Sequence, residues 1–164
     1  MGLDMYLEVR KYVTLNEYVQ ENGDFVKKTL QPATDVLELS GLSKVTSDET
    51  WGLTVSTTAI YWRKVNAVHK WFVDNLANGV DECQQIYVPR EKLLALRDQV
   101  EMVFRSKNNA IAQEWLPTES GFFFGSTEYD EWYWHDMEYT LKELTRVLAV
   151  TEGESVDFIY QASW

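Results

Sequence analysis

Hydrophobic alternation at the two ends of the chain constrains its fold more than any other feature. Leu3, Met5, Leu7 and Val9 fall on one face of an extended segment, with Asp4, Tyr6, Glu8 and Arg10 on the other. Residues 156–164 repeat the pattern, with Val156, Phe158, Tyr160, Ala162 and Trp164 on one side and Asp157, Ile159, Gln161 and Ser163 on the other. Successive side chains of a strand point to opposite faces, so each segment reads as a half-buried strand. Two such strands at the termini predict that both ends enter one sheet, which ties them down.

Between the ends the signals change period. Asn22-Gly23 is a hairpin turn signal between residues 17–21 and 24–30. Residues 31–58 are rich in Ser, Thr, Asp and Gly and read as an irregular connection with room for one short element. A helix is predicted over 59–77, with Tyr61, Val65, Val68, Phe72 and Leu76 as its core stripe and Asn78-Gly79 as its stop. Residues 84–88 suggest a short strand. Pro89 then opens a helix to about Ser106, with Leu93, Leu96, Val100 and either Val103 or Phe104 buried. A shorter helical turn covers 108–115, ended by Pro117. The last helix is predicted to begin at Ser126 or Thr127, with Tyr133, Met137, Leu141, Leu144 and Leu148 inward and Tyr129 or Trp132 extending that face. Strands, then helices, then a strand give an α+β class. The expectation is a single domain over 1–164, with a mainly antiparallel sheet that includes both terminal strands and packs against about three helices.

A net charge of −11 argues against nonspecific nucleic-acid binding and against docking on anionic membranes, both of which need clustered cations. The single cysteine, Cys83, excludes an intramolecular disulfide and fits a reducing compartment. No basic leader precedes an apolar run and no stretch approaches the length of a membrane span, so a cytoplasmic location is expected. His69, Cys83 and His135 lack the paired spacing of a metal site, and no phosphate-loop or dinucleotide fingerprint occurs, so no metal or cofactor is expected.

Two constellations carry candidate chemistry. On a helix over 59–77, Trp62, Asn66 and His69 form a second stripe, with Arg63 and Lys70 on the next edge. A ring that stacks beside two cations suits a planar anion of nucleotide type. The opposite wall is Ser120, the Phe122–Phe124 run and Ser126, where backbone amides open the last helix. Three phenylalanines between Gly121 and Gly125 fit neither a strand nor a helix, and predict an ordered, mostly buried loop. The same residues also suit internal hydrogen bonds and core packing. The second constellation is Glu128, Asp130, Glu131, Trp134, Asp136 and Glu138, within a stretch over 127–141 that holds no Lys or Arg. It reads either as a solvated outer face or as an acidic, aromatic contact for a basic protein, where rings anchor and acids steer.

Three blocks are familiar together: MGLDMYL at 1–7, YWRKVNAVHKWF at 61–72 and PTESGFFFGSTEYDE at 117–131. They resemble a family of small uncharacterised proteins of tailed bacteriophages and prophages. The resemblance transfers no catalytic or binding residue, because no activity is established for that family. It implies a phage protein at work in bacterial cytoplasm, where a host or defence protein is the natural partner. The expected function is therefore noncatalytic binding and modulation of such a component. The alternatives are a binder of, or enzyme on, a nucleotide-like anion, and a structural or self-assembling phage component.

Overall fold

The computed structural model describes residues 2–164, so Met1 of the first familiar block lies outside the described residues. The chain runs β1 (Asp4–Thr14), β2 (Asn16–Glu21), β3 (Asp24–Thr29), α1 (Gln31–Ser40), a 3₁₀ turn (Leu42–Val45), β4 (Gly52–Arg63), α2 (Asn66–Leu76), β5 (Ile86–Val88), α3 (Arg90–Ser106), α4 (Asn109–Trp115), α5 (Glu131–Val150) and β6 (Asp157–Ser163). It divides into two compact units, one made of Met1–Val9 with Thr57–Trp164 and the other of Arg10–Ser56. No composition shift announces that division.

The larger unit is built on a sheet of order β4-β1-β6-β5. Both terminal strands enter this one sheet, as the alternation at both ends predicts, and they are neighbours at its centre. Leu3, Met5 and Leu7 are sealed from solvent, and so are Phe158, Tyr160 and Ala162. Lys64 N–H, just beyond β4, donates to the carbonyl of Leu3, just before β1, so these strands run antiparallel. β5 pairs antiparallel with β6, Tyr87 opposite Ile159. Over β4, the side chains of α5 take the outer carbonyls: Tyr139 Oη donates to Tyr61 and Arg146 to Ala59.

Five helices form rather than about three. Two of the additions were readable as less than helices: α4, which is one short helix with Asn108 accepting from the N–H groups of Ala110 and Ile111, and α1, in the stretch read as irregular. In α3 the Leu93, Leu96, Val100 and Val103 stripe is fully buried, and the helix lies against α5. Arg90, at the start of α3, donates to the carbonyls of Leu148 (2.6 Å) and Thr151 (3.2 Å). A guanidinium there satisfies the orphan carbonyls at the negative end of α5.

The helix expected over 59–77 is corrected to α2, Asn66–Leu76, with residues 59–63 in β4. Ile60 and Trp62 are buried while Tyr61 is 41% exposed, which is a two-residue period. Tyr61 therefore belongs to no helical stripe. The change of period falls at Lys64, whose φ of 61° ends the strand and turns the chain into α2.

The smaller unit holds the hairpin. Asn22 (φ 54°) and Gly23 (φ 95°) join β2 to β3, with Glu21 opposite Asp24. Two successive left-handed residues match the twist of the strands they join. The connection read as irregular over 31–58 contains α1 and the start of β4. Pro32 is accommodated in the first turn of α1, and Gly41 (φ 72°) closes it. Ala33 and Leu37 bury their side chains with Leu15, beside Val13 and Leu53. Too few apolar residues are involved for the helical period to stand out in the sequence.

Among the described residues no helix is long and apolar enough to cross a membrane. Removal of residues 158–164 takes away the strand that pairs with β5 and opens one side of β1. The expected outcome, read by circular dichroism on heating, is loss of the cooperative transition. A truncated chain that melts at the wild-type temperature would refute the central placement of β6.

Candidate functional site

The junction between β4 and α2 is one of four places among the described residues of the larger unit where a non-glycine residue has a positive φ. Lys64 occupies the left-handed region, φ 61°, where a side chain costs about 1–2 kcal/mol that glycine would avoid. Just beyond it, Asn66 is buried, and its amide does the work of three contacts. Its Nδ2 donates to the carbonyls of Phe124 (3.1 Å) and Ser126 (2.8 Å), and its Oδ1 accepts from the N–H of Glu119 (3.2 Å). The loop over 117–130 is thereby clasped to the start of α2. Further bonds stiffen it: Thr118 Oγ1 donates to the Thr127 carbonyl (2.9 Å), and Tyr133 Oη donates to that of Leu116 (3.0 Å).

The phenylalanine run splits in a way that corrects the expectation of a mostly buried loop. Phe124 is buried, Phe123 is half-buried and Phe122 is 96% exposed. A turn closes between the Gly121 carbonyl and the Phe124 N–H, 3.2 Å apart. A Cβ on Gly121 would stand 2.6 Å from the Phe124 ring, so glycine lets that ring fold back over the backbone. The turn rolls one ring inward, edge-on to His69, and leaves its neighbour two positions earlier in solvent.

The last helix starts later than Ser126 or Thr127. Asp130 is its N-cap and accepts from the N–H groups of Trp132 (3.0 Å) and Tyr133 (3.2 Å), while Ser126 Oγ accepts from Glu128 N–H in the preceding loop. An aspartate at this position satisfies two orphan donors and suits the positive end of the helix. Tyr133 and Met137 are in the core, as the helical period predicts, and Trp132 faces outward, 75% exposed.

Between the β4–α2 junction and the start of α5 lies a cleft of about 330 Å³. Arg63, Lys64 and Asn66 line one side; Thr118, Gly125 and Ser126 line the floor of the loop; Glu128, Asp130, Trp132 and Asp136 come from the segment leading into and along α5. Among the described residues neither Arg63 nor Lys64 forms an ion pair. The Asp136 carboxyl is pushed up from 3.8 to about 6, chiefly by burial; its neighbour His135 opposes the shift and the charge on Asp130 adds to it.

The eight residues proposed to bind an anion are thus not brought together as one surface. Arg63, Asn66 and Ser126 line the cleft. Trp62 is buried and donates its indole N–H to Thr140 Oγ1 (3.0 Å). His69 is wholly buried, with Nδ1 2.7 Å from the Tyr160 hydroxyl and Nε2 3.0 Å from Asp81 Oδ2. Burial holds the Tyr160 phenol well above its ordinary range, with the charge of Asp81 adding to the effect. The hydroxyl therefore keeps its proton, and each ring nitrogen of His69 has a hydrogen-bonding partner. Lys70 pairs with Asp74 (2.8 Å) on a separate depression of about 280 Å³ beside Trp71, Gln99 and Trp115. Ser120 is exposed and Phe123 half-buried, both outside the cleft lining.

Of the six residues proposed for protein contact, Glu128, Asp130 and Asp136 line the cleft, and Glu131 and Glu138 are exposed beyond it. Trp134 is half-buried, edge-on to Tyr133 with the ammonium of Lys107 over its ring. The exposed ring is instead Trp132; of the two residues expected to extend the apolar face, Tyr129 is the one that packs against the core. Lys64 and Thr118 were missed as well. The helical start at Asp130 was the available signal for Trp132; the left-handed turn at Lys64 has none. Among the described residues no group of three or more His, Cys, Asp and Glu could hold a metal ion. No family model matches the chain, nor does any curated protein or solved structure.

Two outcomes follow from this geometry. Phe124→Ala is expected to cost about 3–5 kcal/mol in urea unfolding, and Phe122→Ala close to nothing. Equal costs would overturn the split between the two rings. For Asp136, a carboxyl raised in the folded state binds more protons there than in the unfolded chain. Its ionisation therefore subtracts stability as pH rises from about 4 to about 6, and the loss stays constant above that. Asp136→Asn should gain about 1–2 kcal/mol at pH 7.5 and little at pH 4, after allowance for the partial exposure of the group. A gain independent of pH would refute the raised carboxyl.

Proposed function

We propose that this protein is a phage accessory protein that binds a host or defence component in bacterial cytoplasm, and that the first half of α5 is its contact surface. The observation that carries the reading is Trp132. A tryptophan that is 75% exposed beside a well-packed core gains nothing for the fold by being there. Large rings of this kind anchor protein interfaces when they become buried against a partner.

The surroundings of Trp132 support a basic partner. Glu128, Asp130, Glu131 and Glu138 lie on the same segment, and the chain as a whole carries −11. A surface of one sign speeds encounter with a surface of the other and discourages wrong partners. His135 packs its ring near that of Trp132, 6.5 Å between centroids, which steadies the anchor. The resemblance to small phage proteins supplies the setting and the noncatalytic character of the reading.

Trp132→Ala and the double variant Glu131→Lys, Glu138→Lys test it. Each is purified on a tag from infected bacteria beside the wild type, with mass spectrometry of what is retained. The expected result is one basic host protein held by the wild type and lost from both variants, whose melting temperatures stay near the wild-type value. Measured with the purified partner, Trp132→Ala should weaken binding by about 2 kcal/mol or more, roughly thirtyfold. Retention of that partner by both variants would end this assignment of the surface.

A further inference from the structure

The cleft beside Lys64 has a charge pattern of its own. Arg63 and Lys64 stand on the β4–α2 side; Glu128, Asp130 and Asp136 stand on the α5 side. Unlike charges that share a cleft normally close on one another. Here no ion pair among the described residues joins the two sides: the one contact of this kind made by any of the five is with the His135 ring, 3.9 Å from Asp136 on the same helix. His135 also opposes the rise of the Asp136 carboxyl, and neither Arg63 nor Lys64 enters the causes of that rise. Neither cation stands within ion-pair distance of the acid opposite.

We propose that this cleft binds a small zwitterion of the amino-acid or dipeptide class, its carboxylate held by Arg63 and Lys64 and its ammonium by Asp130 and Asp136. A molecule with both charges can span a gap that the two sides leave open. A simple anion would meet three carboxylates, and a simple cation would meet two basic side chains. The volume of about 330 Å³ lies at the small end of the range of ligand pockets, which suits a molecule of that size rather than a nucleotide. Trp132 at the rim offers a flat ring to an ammonium group or to an apolar side chain.

The framework is fixed before any ligand arrives. Asn66 spends its amide on the Phe124 and Ser126 carbonyls and on Glu119 N–H, so the floor does not have to form on binding. Preformed sites spend less of their binding energy on ordering. The strained backbone at Lys64 points the same way. A left-handed position that glycine would occupy freely is held by a lysine at the cleft, and strain of this kind collects at functional sites. The inference shares Glu128, Asp130 and Trp132 with the protein-contact reading, but Glu131 and Glu138 do not line the cleft and Lys64 is not on α5, so the Lys64 variants test the cleft alone and Glu131→Lys, Glu138→Lys the contact surface alone.

Thermal shift and calorimetry on the purified full chain test the proposal. The probes are glycine, L-leucine, L-glutamate, L-lysine and leucyl-glycine, with N-acetyl-leucyl-glycine and leucyl-glycine amide as forms that keep one charge only. At least one free zwitterion is expected to raise the melting temperature at millimolar concentration, and each blocked dipeptide should bind at least about tenfold more weakly than the free one. Lys64→Gly should abolish the shift while melting at or above the wild-type temperature, since glycine relieves the backbone. Lys64→Asn, which also tolerates the left-handed region, should do the same. The proposal is overturned if no free zwitterion shifts the melt, if a blocked form binds as well as the free one, or if both Lys64 variants keep the response.

Discussion

The amide of Asn66 ties three backbone groups of one loop to the first turn of α2, and most of what is distinctive in the larger unit depends on it. Without that clasp, the carbonyls of Phe124 and Ser126 would lose their donor, and a buried backbone carbonyl left alone costs about 1–3 kcal/mol. The clasp also sets the position of Phe124, whose ring lies edge-on to His69, 5.2 Å between centroids. From His69 the chain of contacts runs to Tyr160 on β6 and to Asp81, which also accepts the indole N–H of Trp164 (3.1 Å). One polar side chain at a helix start is thus linked, through one buried imidazole, to the last strand of the chain.

This network explains why the histidine that looked most like a binding residue is a core residue. An imidazole has two ring nitrogens, and both are occupied by partners fixed in their own elements. A fully buried Tyr160 keeps its proton, so the histidine sits between a firm donor and a carboxylate. Such a group holds α2, the loop that carries Asp81 and β6 in one arrangement. Buried polar networks whose members are all satisfied define a unique packing more sharply than apolar contacts alone.

What was legible in the sequence followed from period and punctuation. The terminal strands, the Asn22-Gly23 hairpin, and the start of α3 at Pro89 depend on local rules that the structure keeps. The failures fall where two periods overlap or where a single backbone angle decides. Residues 59–63 fit a helical stripe through Tyr61 and Val65, yet the alternation of Ile60 and Trp62 against the sheet wins because it buries two large side chains. At the candidate site, Arg63, Asn66, Ser126, Asp130 and Asp136 were found by residue type, but as members of two separate constellations. Their convergence depends on the turn at Lys64 and on the loop that delays the start of α5 to Glu131, and neither is written in any local pattern. The exposed ring is Trp132, two positions from the Trp134 that was expected, because the buried stripe through Tyr133, Met137 and Leu144 leaves Trp132 on the outer face.

The side chains of α5 that cover β4 limit how anything can attach to this fold. With the carbonyls of Tyr61 and Ala59 taken by Tyr139 and Arg146, that border of the sheet has no free row of acceptors for an incoming extended peptide. The opposite border is β5, only three residues long. A binding mode in which a guest adds itself as a further strand is thereby denied at one border and starved of length at the other. At both borders of this sheet the same features disfavour the addition of a strand from a second copy of the chain.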